Sequence, residues 1–415
     1  MSPKHDHSQK FLNAFLNDAQ LQTLMRALGS DAGQVRVIGG AVRNALRNVA
    51  VNDFDVATIH LPEEVVSRAV KAGFRTIPTG IEHGTVTVVG KEFTCEVTTL
   101  REDVETDGRH AIVRFGSSWL RDAERRDFTM NALSVDSAGT LYDLVSGLED
   151  CLSGRVRFIG NARLRIEEDA LRALRFFRFS ALFGDGELDS DGVRAAVDAA
   201  DQMSHLSVER IGQEFRKLFA APDQNQLCVS LQAARPLLKE LGIRVEQADI
   251  LPLAECDRPQ WLLRFFLLMM RQSDQLQACA KALKFSNVEA GYIQALVGVL
   301  NVLEQNSIAD INDMKQLAYR YGKQIVDDAV YLVSRSLDDP AASYAAVAKK
   351  LHDWSVPEFP ICGADLLAEG FTPGPALGKE LSSLEDKWLR ERFEPSRSEL
   401  LSVARLDLQN RAGDK

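Results

Sequence analysis

The chain has 415 residues, with 49 Lys+Arg against 59 Asp+Glu and a formal net charge of −10 at pH 7. That length exceeds one ordinary hydrophobic core and predicts two to four domains. A content of 45% hydrophobic and 26% charged residues excludes wholesale disorder, and the acidic balance excludes a generally sticky polycation while leaving room for a local basic patch.

Elements follow in chain order. Residues 1–10 read as a loose tail. Phe11, Phe15, Leu21, Met25 and Leu28 recur near helical spacing over 11–29, where Gly29 stops the helix. The runs VRVIGG (35–40), GTVTVVG (84–90), FTCEVTTL (93–100), AIVRF (111–115) and NALSVD (131–136) predict strands, interleaved with helices at 41–48 and 62–72. From about residue 150 the strand signal fades. Helical spacing continues through 163–183, 190–200, 207–220, 226–241, 258–305, 310–335 and 341–354. Pro357, Pro360, Pro373 and Pro375 mark a loop-rich joint before a final helix at 377–393.

Several absences bound the function. The six cysteines (95, 151, 228, 256, 279 and 362) form no CxxC pair, so neither a zinc knuckle nor a disulfide frame is written here. The first ten residues carry no apolar signal core. The greasiest stretch, 261–270, contains Arg264 and is far short of the roughly 20 residues a membrane span needs. A cytoplasmic protein without a membrane segment is expected. The seven histidines form no HxxxH pair or Cys/His cluster, the two His-Asp dipeptides (His5-Asp6 and His352-Asp353) stand at opposite ends of the sequence, and there is no GxSxG nucleophile elbow.

Five places carry candidate chemistry. Gly39 and Gly40 follow the strand VRVI and precede Arg43; backbone N–H groups, a helix start and a guanidinium there suit an anion, although a tight turn explains the glycines equally. In Asn52-Asp53-Phe54-Asp55 the two acids share one face of a strand, as hard oxygen ligands for Mg²⁺ require; a lone DxD is also common in surface loops. Glu96 sits in an otherwise apolar strand, where a carboxylate either faces solvent or joins a metal site. In RRDFTMN, Arg126 can grip a phosphate while Asp127 and Asn131 reach ribose hydroxyls, the plainer reading being a local Arg–Asp pair. Finally, 165–183 reads as one helix. At about 100° per residue, Arg172, Arg175 and Arg178 fall on an arc opposite a buried face of Ala170, Leu174, Phe177 and Ala181, with Asp169 beside Arg172. Residues 155–178 hold seven Arg against three acids, a patch suited to phosphates or a base edge, or simply a solvated face.

Taken together, VRVIGGAVRNALRN, NDFDVAT, TGIEHGTVTVV, CEVTTLRED, RRDFTMNAL, EEDALRALRFFRF and LSVERIGQEF resemble the class II nucleotidyltransferase family of CCA-adding enzymes and bacterial poly(A) polymerases. The match covers residues 35–219 in the family's order, and GADLLAEGFTPGPALG (363–378) looks like the family's tail segment.

The resemblance implies an α+β protein. A catalytic head with a mixed sheet of about five strands would occupy 31–148, preceded by an N-terminal tail and helix at 1–30. An all-α neck at 149–220, a body at 221–355 and a tail at 356–415 would follow, the last two carrying tRNA; the acidic total predicts that RNA contacts concentrate on a basic stripe from Arg155–Arg178 through Arg210, Arg216 and Lys217. It implies that Asp53 and Asp55 hold Mg²⁺ with Glu96 as the third acid. Gly39, Gly40 and Arg43 would meet the triphosphate, and Arg126, Asp127 and Asn131 the incoming nucleotide. Asp169 and Arg172 would read the base, with Arg175 and Arg178 completing the pocket.

The chain departs from the family pattern at Asn44, usually Asp, at Arg47-Asn48, usually Leu-Gly, and at Leu100, usually Phe. Residues 101–111 are polar and long enough to be the flexible loop of CCA-adding members. The expected reaction adds CCA to tRNA lacking it, from CTP and ATP, with no obligate protein partner. Poly(A) polymerase, partial A-adding or CC-adding activity, and a catalytically silent RNA-binding protein are the alternatives.

Overall fold

The computed structural model describes residues 16–51, 53–81, 84–107, 110–270, 276, 279, 283–305, 311–336 and 350–413. Contacts group the chain into two compact units, one ending at Lys284 and one beginning at Phe285. That division falls inside the segment expected as the body.

The first unit opens with α1 (Ala19–Ala27), capped by Asp18, which accepts from Gln20 N at 2.9 Å and Leu21 N at 2.8 Å. Gly29, in the left-handed region at φ 82°, ends it as expected. Phe11 and Phe15 lie outside the described residues.

The head follows as β1 (Val35–Ile38), α2 (Gly40–Leu46), β2 (Phe54–Thr58), α3 (Pro62–Lys71), β3 (Arg75–Gly80), β4 (Thr85–Gly90) and β5 (Phe93–Thr99). Next come β6 (Arg101–Asp107), β7 (His110–Phe115), α4 (Trp119–Glu124), β8 (Ser134–Val135) and β9 (Leu141–Tyr142). One mixed sheet runs β3-β4-β5-β2-β1-β8-β9, and only the β2–β5 pair is parallel. Its five long strands match the expected number, but of the expected runs only 35–40, 84–90 and 93–100 are among them: β2 and β3 supply the other two, while 111–115 leaves the sheet as β7; β8 and β9, two residues each, extend it. NALSVD shortens to β8 because Thr129–Asn131 coils into a 3₁₀ turn.

The alternation in β5 decides its faces. Phe93, Cys95, Val97 and Thr99 are buried while Thr94 and Glu96 are exposed. Residues 101–111, expected as a loop, lie largely in a separate antiparallel ribbon of β6 and β7. Pairing satisfies the backbone N–H and C=O groups that a projecting loop would leave to water.

Helices then take over: α5 (Leu148–Ser153), α6 (Ala162–Glu168), α7 (Leu171–Phe183), α8 (Ser190–Asp198), α9 (Val208–Phe219), α10 (Gln224–Glu240), α11 (Gln247–Ala254) and α12 (Trp261–Met269). The single helix expected over 165–183 is broken at Asp169, whose backbone is extended at φ −156°, ψ 105°. An Asp side chain bonds nearby backbone N–H groups, which favours helix ends over interiors; here Asp169 Oδ1 accepts from Leu171 N at 3.1 Å. The arc drawn with Asp169 on the same helix as the arginines therefore does not hold. Nor is the arginine side open: α7 packs against both α9 and α10, and Arg178 is as buried as Phe179.

An aromatic cluster joins the head to α7. Phe128, Phe158, Phe176 and Phe179 pack with centroids 4.9 to 5.5 Å apart along the chain of contacts Phe179–Phe128–Phe158–Phe176, tilted at Phe128 and stacked at Phe158–Phe176. Burying a Phe contributes about 1.5–3 kcal/mol, and Phe128→Ala should cost about 3–5 kcal/mol. Further back, fully buried Arg264 on α12 donates to the carbonyls of Phe219 (3.0 Å), Ala221 and Arg258 (2.7 Å), sealing the end of α9.

The second unit contains α13 (Asn287–Glu304), α14 (Ile311–Tyr321), α15 (Lys323–Ser336), α16 (Gly363–Ala368), α17 (Pro375–Arg390) and α18 (Arg397–Gly413). The expected helix at 377–393 is α17; α18 beyond it was not expected. Residues 341–349 of another expected helix lie outside the described residues. Leu366, Leu384, Trp388, Leu400 and Ala404 form the core of α16, α17 and α18.

Candidate active site

β2 and β5 run parallel with Asp55 opposite Glu96. Their neighbours Val56 and Val97 point into the core, so both carboxylates stand on the exposed face of the sheet. Asp53, two residues before Asp55, is also exposed. Surrounding protein raises the Asp55 carboxyl above its ordinary value, Glu96 adds to the shift, and Arg126 opposes it. Among the described residues no three His, Cys, Asp or Glu side chains form a closed metal cage. An open pair of hard oxygen donors nevertheless fits Mg²⁺, which fills its remaining positions with water and substrate phosphate.

At the end of β1 the chain turns through Gly39 at φ 63° into α2. A Cβ there would meet Arg126 Nη1 at 3.3 Å, so the glycine lets head backbone and guanidinium approach. Arg43 is buried, donating to Asn131 Oδ1 at 2.6 Å and to Asn44 Oδ1 at 2.9 Å from Nη2 and 3.2 Å from Nε. Its guanidinium lies 3.9 Å from the Phe183 ring centroid. The hydrogen bond that the Asn44 departure put in question is present; the charge is not. Asn48 takes the left-handed conformation at φ 57° that the family's glycine would favour, a region Asn tolerates better than most residues.

RRDFTMN splits by environment. Phe128 anchors it, and Arg125 and Arg126 both pair with buried Asp122, at 2.6 and 2.9 Å. Burial pushes the Asp122 carboxyl up, but Arg126 and Arg125 outweigh it and hold it below the carboxylate range. Asp127 is inward: Oδ1 accepts from Phe128 N at 2.8 Å and Asn131 Nδ2 at 3.0 Å, and Oδ2 accepts from Arg175 Nε at 2.9 Å. The expected local pair of Asp127 with Arg125 or Arg126 gives way to a bond across to α7.

Arginines 155 to 178 are not a bare patch. Arg155 pairs with Asp189, Arg157 with Asp150, Arg163 with Glu167, Arg165 and Arg172 with Glu168, Arg175 with Asp127, and Arg178 with Glu214 at 2.9 Å. Asp169 does not pair with Arg172. It pairs with Arg210 at 2.6 Å, a residue expected on the RNA stripe. One turn along α9, buried Glu214 lies 3.6 Å from Arg175 as well. Thus α9 holds Asp169 with one residue and two arginines of α7 with another.

Gly39, Gly40, Arg43, Asp55, Arg126, Asp127, Asn131, Asp169, Arg172 and Arg175 line one open cavity of about 420 Å³, joined by Arg125, Phe179 and Arg210. Asp53 and Glu96 lie outside its lining, and Arg178 is buried behind it. A second, larger cleft of about 590 Å³, at Arg155, Asn161 and Arg194, contains none of these acids. Asp122, Glu168, Arg210 and Glu214 were missed as site residues. For Asp122 and Glu168 the signal is charge spacing: Asp122 lies three and four residues before Arg125 and Arg126, and Glu168 four before Arg172; Arg210 and Glu214 leave no such local mark of their partners.

The sheet, its paired acids and the facing arginine-lined cavity define a nucleotidyltransferase head. Residues 35–157 match the family model described as "Poly A polymerase head domain", and 257–404 match "tRNA nucleotidyltransferase domain 2 putative". The mitochondrial CCA tRNA nucleotidyltransferase 1 of Danio rerio is 34% identical over 386 residues, covering 89% of this chain and 86% of that one. The CCA-adding enzyme of Lacticaseibacillus paracasei is 32% identical, with 88% and 91% covered. The chain belongs to the CCA-adding tRNA nucleotidyltransferase family. Its fold matches the crystal structure of the Bacillus stearothermophilus CCA-adding enzyme in complex with CTP over the whole of both chains, at a TM-score of 0.74 and 24% identity.

Proposed function

We propose that the chain adds C, C and A in turn to the 3′ end of tRNA lacking them, taking CTP and ATP and releasing pyrophosphate. The observation that carries this reading is one cavity holding Asp55 at its sheet edge and Asp169 with Arg172 on its helical wall. The first belongs to phosphoryl chemistry; the second offers a protein-borne acceptor and donor that can imitate a base-pairing partner.

Each side chain then has a role. Asp53 and Asp55 hold magnesium, with Glu96 beside them. Bound there, the ion supplies activation of the tRNA 3′-hydroxyl and neutralisation of the departing phosphates. Gly39, Gly40 and Arg43 receive the triphosphate. Arg126 grips phosphate, while Asp127 and Asn131 brace Arg175 and Arg43 at the sugar end. Asp169 and Arg172 select the base, and Arg175 and Arg178 shape the wall behind it. No covalent intermediate is needed, so positioning and charge stabilisation supply the rate.

Residues 31–148 serve as head, 149–220 as neck, 221–355 as body and 356–415 as tail, the last two gripping tRNA by shape and backbone. Among the described residues no helix is long and apolar enough to cross a membrane. The free cysteines fit a reducing compartment, and we assign the cytoplasm.

The test supplies purified protein and Mg²⁺ with tRNA lacking its last three nucleotides, giving CTP, ATP or both, and sequences the 3′ ends. Two C with CTP alone, and CCA then a stop with both, is the expected result. A long A tract from ATP alone would instead assign poly(A) polymerase activity. No incorporation under any condition would leave a silent RNA-binding protein. Asp53→Ala should abolish incorporation while tRNA binding persists.

A further inference from the structure

The cavity's other arginines each have a carboxylate partner: Arg125 and Arg126 share Asp122, Arg172 has Glu168, Arg175 has Asp127, and Arg210 has Asp169. Among the described residues, Arg43 has none. It is 8% exposed, and every acceptor it reaches is a neutral amide, Asn131 Oδ1 and Asn44 Oδ1. A buried cation with no carboxylate in contact is costly; burial pushes this guanidinium down to about 10, with the Asp127 charge opposing that shift from beyond contact.

Asn44 explains how the arrangement is kept. Its oxygen takes both the Nε and Nη2 protons of Arg43, the fork geometry that suits a carboxylate. Its Nδ2 donates to Ala50 O at 3.4 Å, which fixes the end of the amide that faces Arg43. An aspartate in this place would bring a full negative charge to the same fork and lose the tie to Ala50. The amide therefore aims the guanidinium without cancelling it.

We propose that Asn44 is a positioning residue that reserves the charge of Arg43 for a polyphosphate anion, the triphosphate tail on entry and pyrophosphate on exit. This deepens the reading above and rests on it. The contacting anion that the fold withholds from Arg43 is the one the ligand brings. Affinity for inorganic pyrophosphate should accordingly depend on the charge at position 44 rather than only on its hydrogen bond.

Asn44→Asp and Asn44→Ala separate the two. Both lose the Ala50 tie, and only the first adds charge; the family's usual residue here is Asp, so that variant is expected to fold. Titration calorimetry of the full chain with inorganic pyrophosphate, in chelator, is paired with steady-state CTP incorporation in Mg²⁺. Asn44→Asp should weaken pyrophosphate about tenfold more than Asn44→Ala does, equivalent to about 1.4 kcal/mol, and raise KM for CTP with kcat little changed. Equal weakening in the two variants overturns the proposal and leaves an orienting role alone. Wild-type protein that incorporates CTP yet binds no pyrophosphate also overturns it, while the functional reading stands. If neither binding nor incorporation occurs, both fall.

Discussion

Asp55 and Glu96 are direct partners across the parallel β2–β5 pair, so the head places two carboxylates side by side on its exposed face. Burial raises the Asp55 carboxyl most, the Glu96 charge opposite adds to the shift, and Arg126 opposes it only in part. Like charges directly opposite in a sheet cost roughly 0.2–1 kcal/mol. The head holds this arrangement at the expense of its own stability.

Glu96→Gln should therefore stabilise the metal-free protein by about 0.5 kcal/mol while reducing nucleotide incorporation at least tenfold, the stability gain being of the size set by cross-strand pairs. Denaturant melts in chelator and single-nucleotide extension assays measure the two. A variant that loses both stability and activity would mean that Glu96 is structural.

Arg210→Ala should disturb base choice more than rate. Without that guanidinium at 2.6 Å, Asp169 Oδ2 loses its ion-pair partner on α9, although Oδ1 still accepts from Leu171 N. The expected change is about tenfold in the ratio of kcat/KM for CTP over UTP, or about 1.4 kcal/mol. An unchanged ratio would place Arg210 outside base recognition.

Glu214→Gln leaves Arg178 buried without its carboxylate and removes one partner from Arg175. Breaking a buried pair from one side typically costs about 3–5 kcal/mol. Chemical unfolding of the full chain should show that loss in the transition of the first unit, and a shift below about 1 kcal/mol would remove Glu214 from the neck's support.

Asp122 carries a pH signature. Its folded-state value lies below the ordinary carboxylate range, so its stabilisation is full above the unfolded value near pH 4 and is lost as pH falls through the lowered folded value. Asp122→Asn should thus be less stable than wild type at pH 7, with the gap closing under acid. A gap that stays constant down to pH 2 would contradict the Arg125–Asp122–Arg126 pairing.

Much of the head was legible because its information is local. The period-two run FTCEVTT fixes its strand and the face on which Glu96 emerges, and the i, i+2 spacing of Asp53 and Asp55 sets them on one face of β2. The neck was less so. Helical spacing at 165–183 contains no mark of the break at Asp169, which comes from one side chain taking a backbone proton. The arginine arc looked solvent-facing because a single helix says nothing of α9 and α10 packing across it. Partners such as Arg210 and Glu214 are 41 and 36 residues away in sequence from Asp169 and Arg178, beyond any spacing rule. α18 was missed because its apolar residues make no single clear stripe, as its weak amphipathicity shows.

The division after Lys284 has an evolutionary consequence. Every residue lining the cavity, and every carboxylate that braces it, lies in the first unit, as does Arg264 beneath α9. On the proposed reading, substitutions from Phe285 onward leave every side chain that selects the nucleotide, and every carboxylate that holds it, untouched.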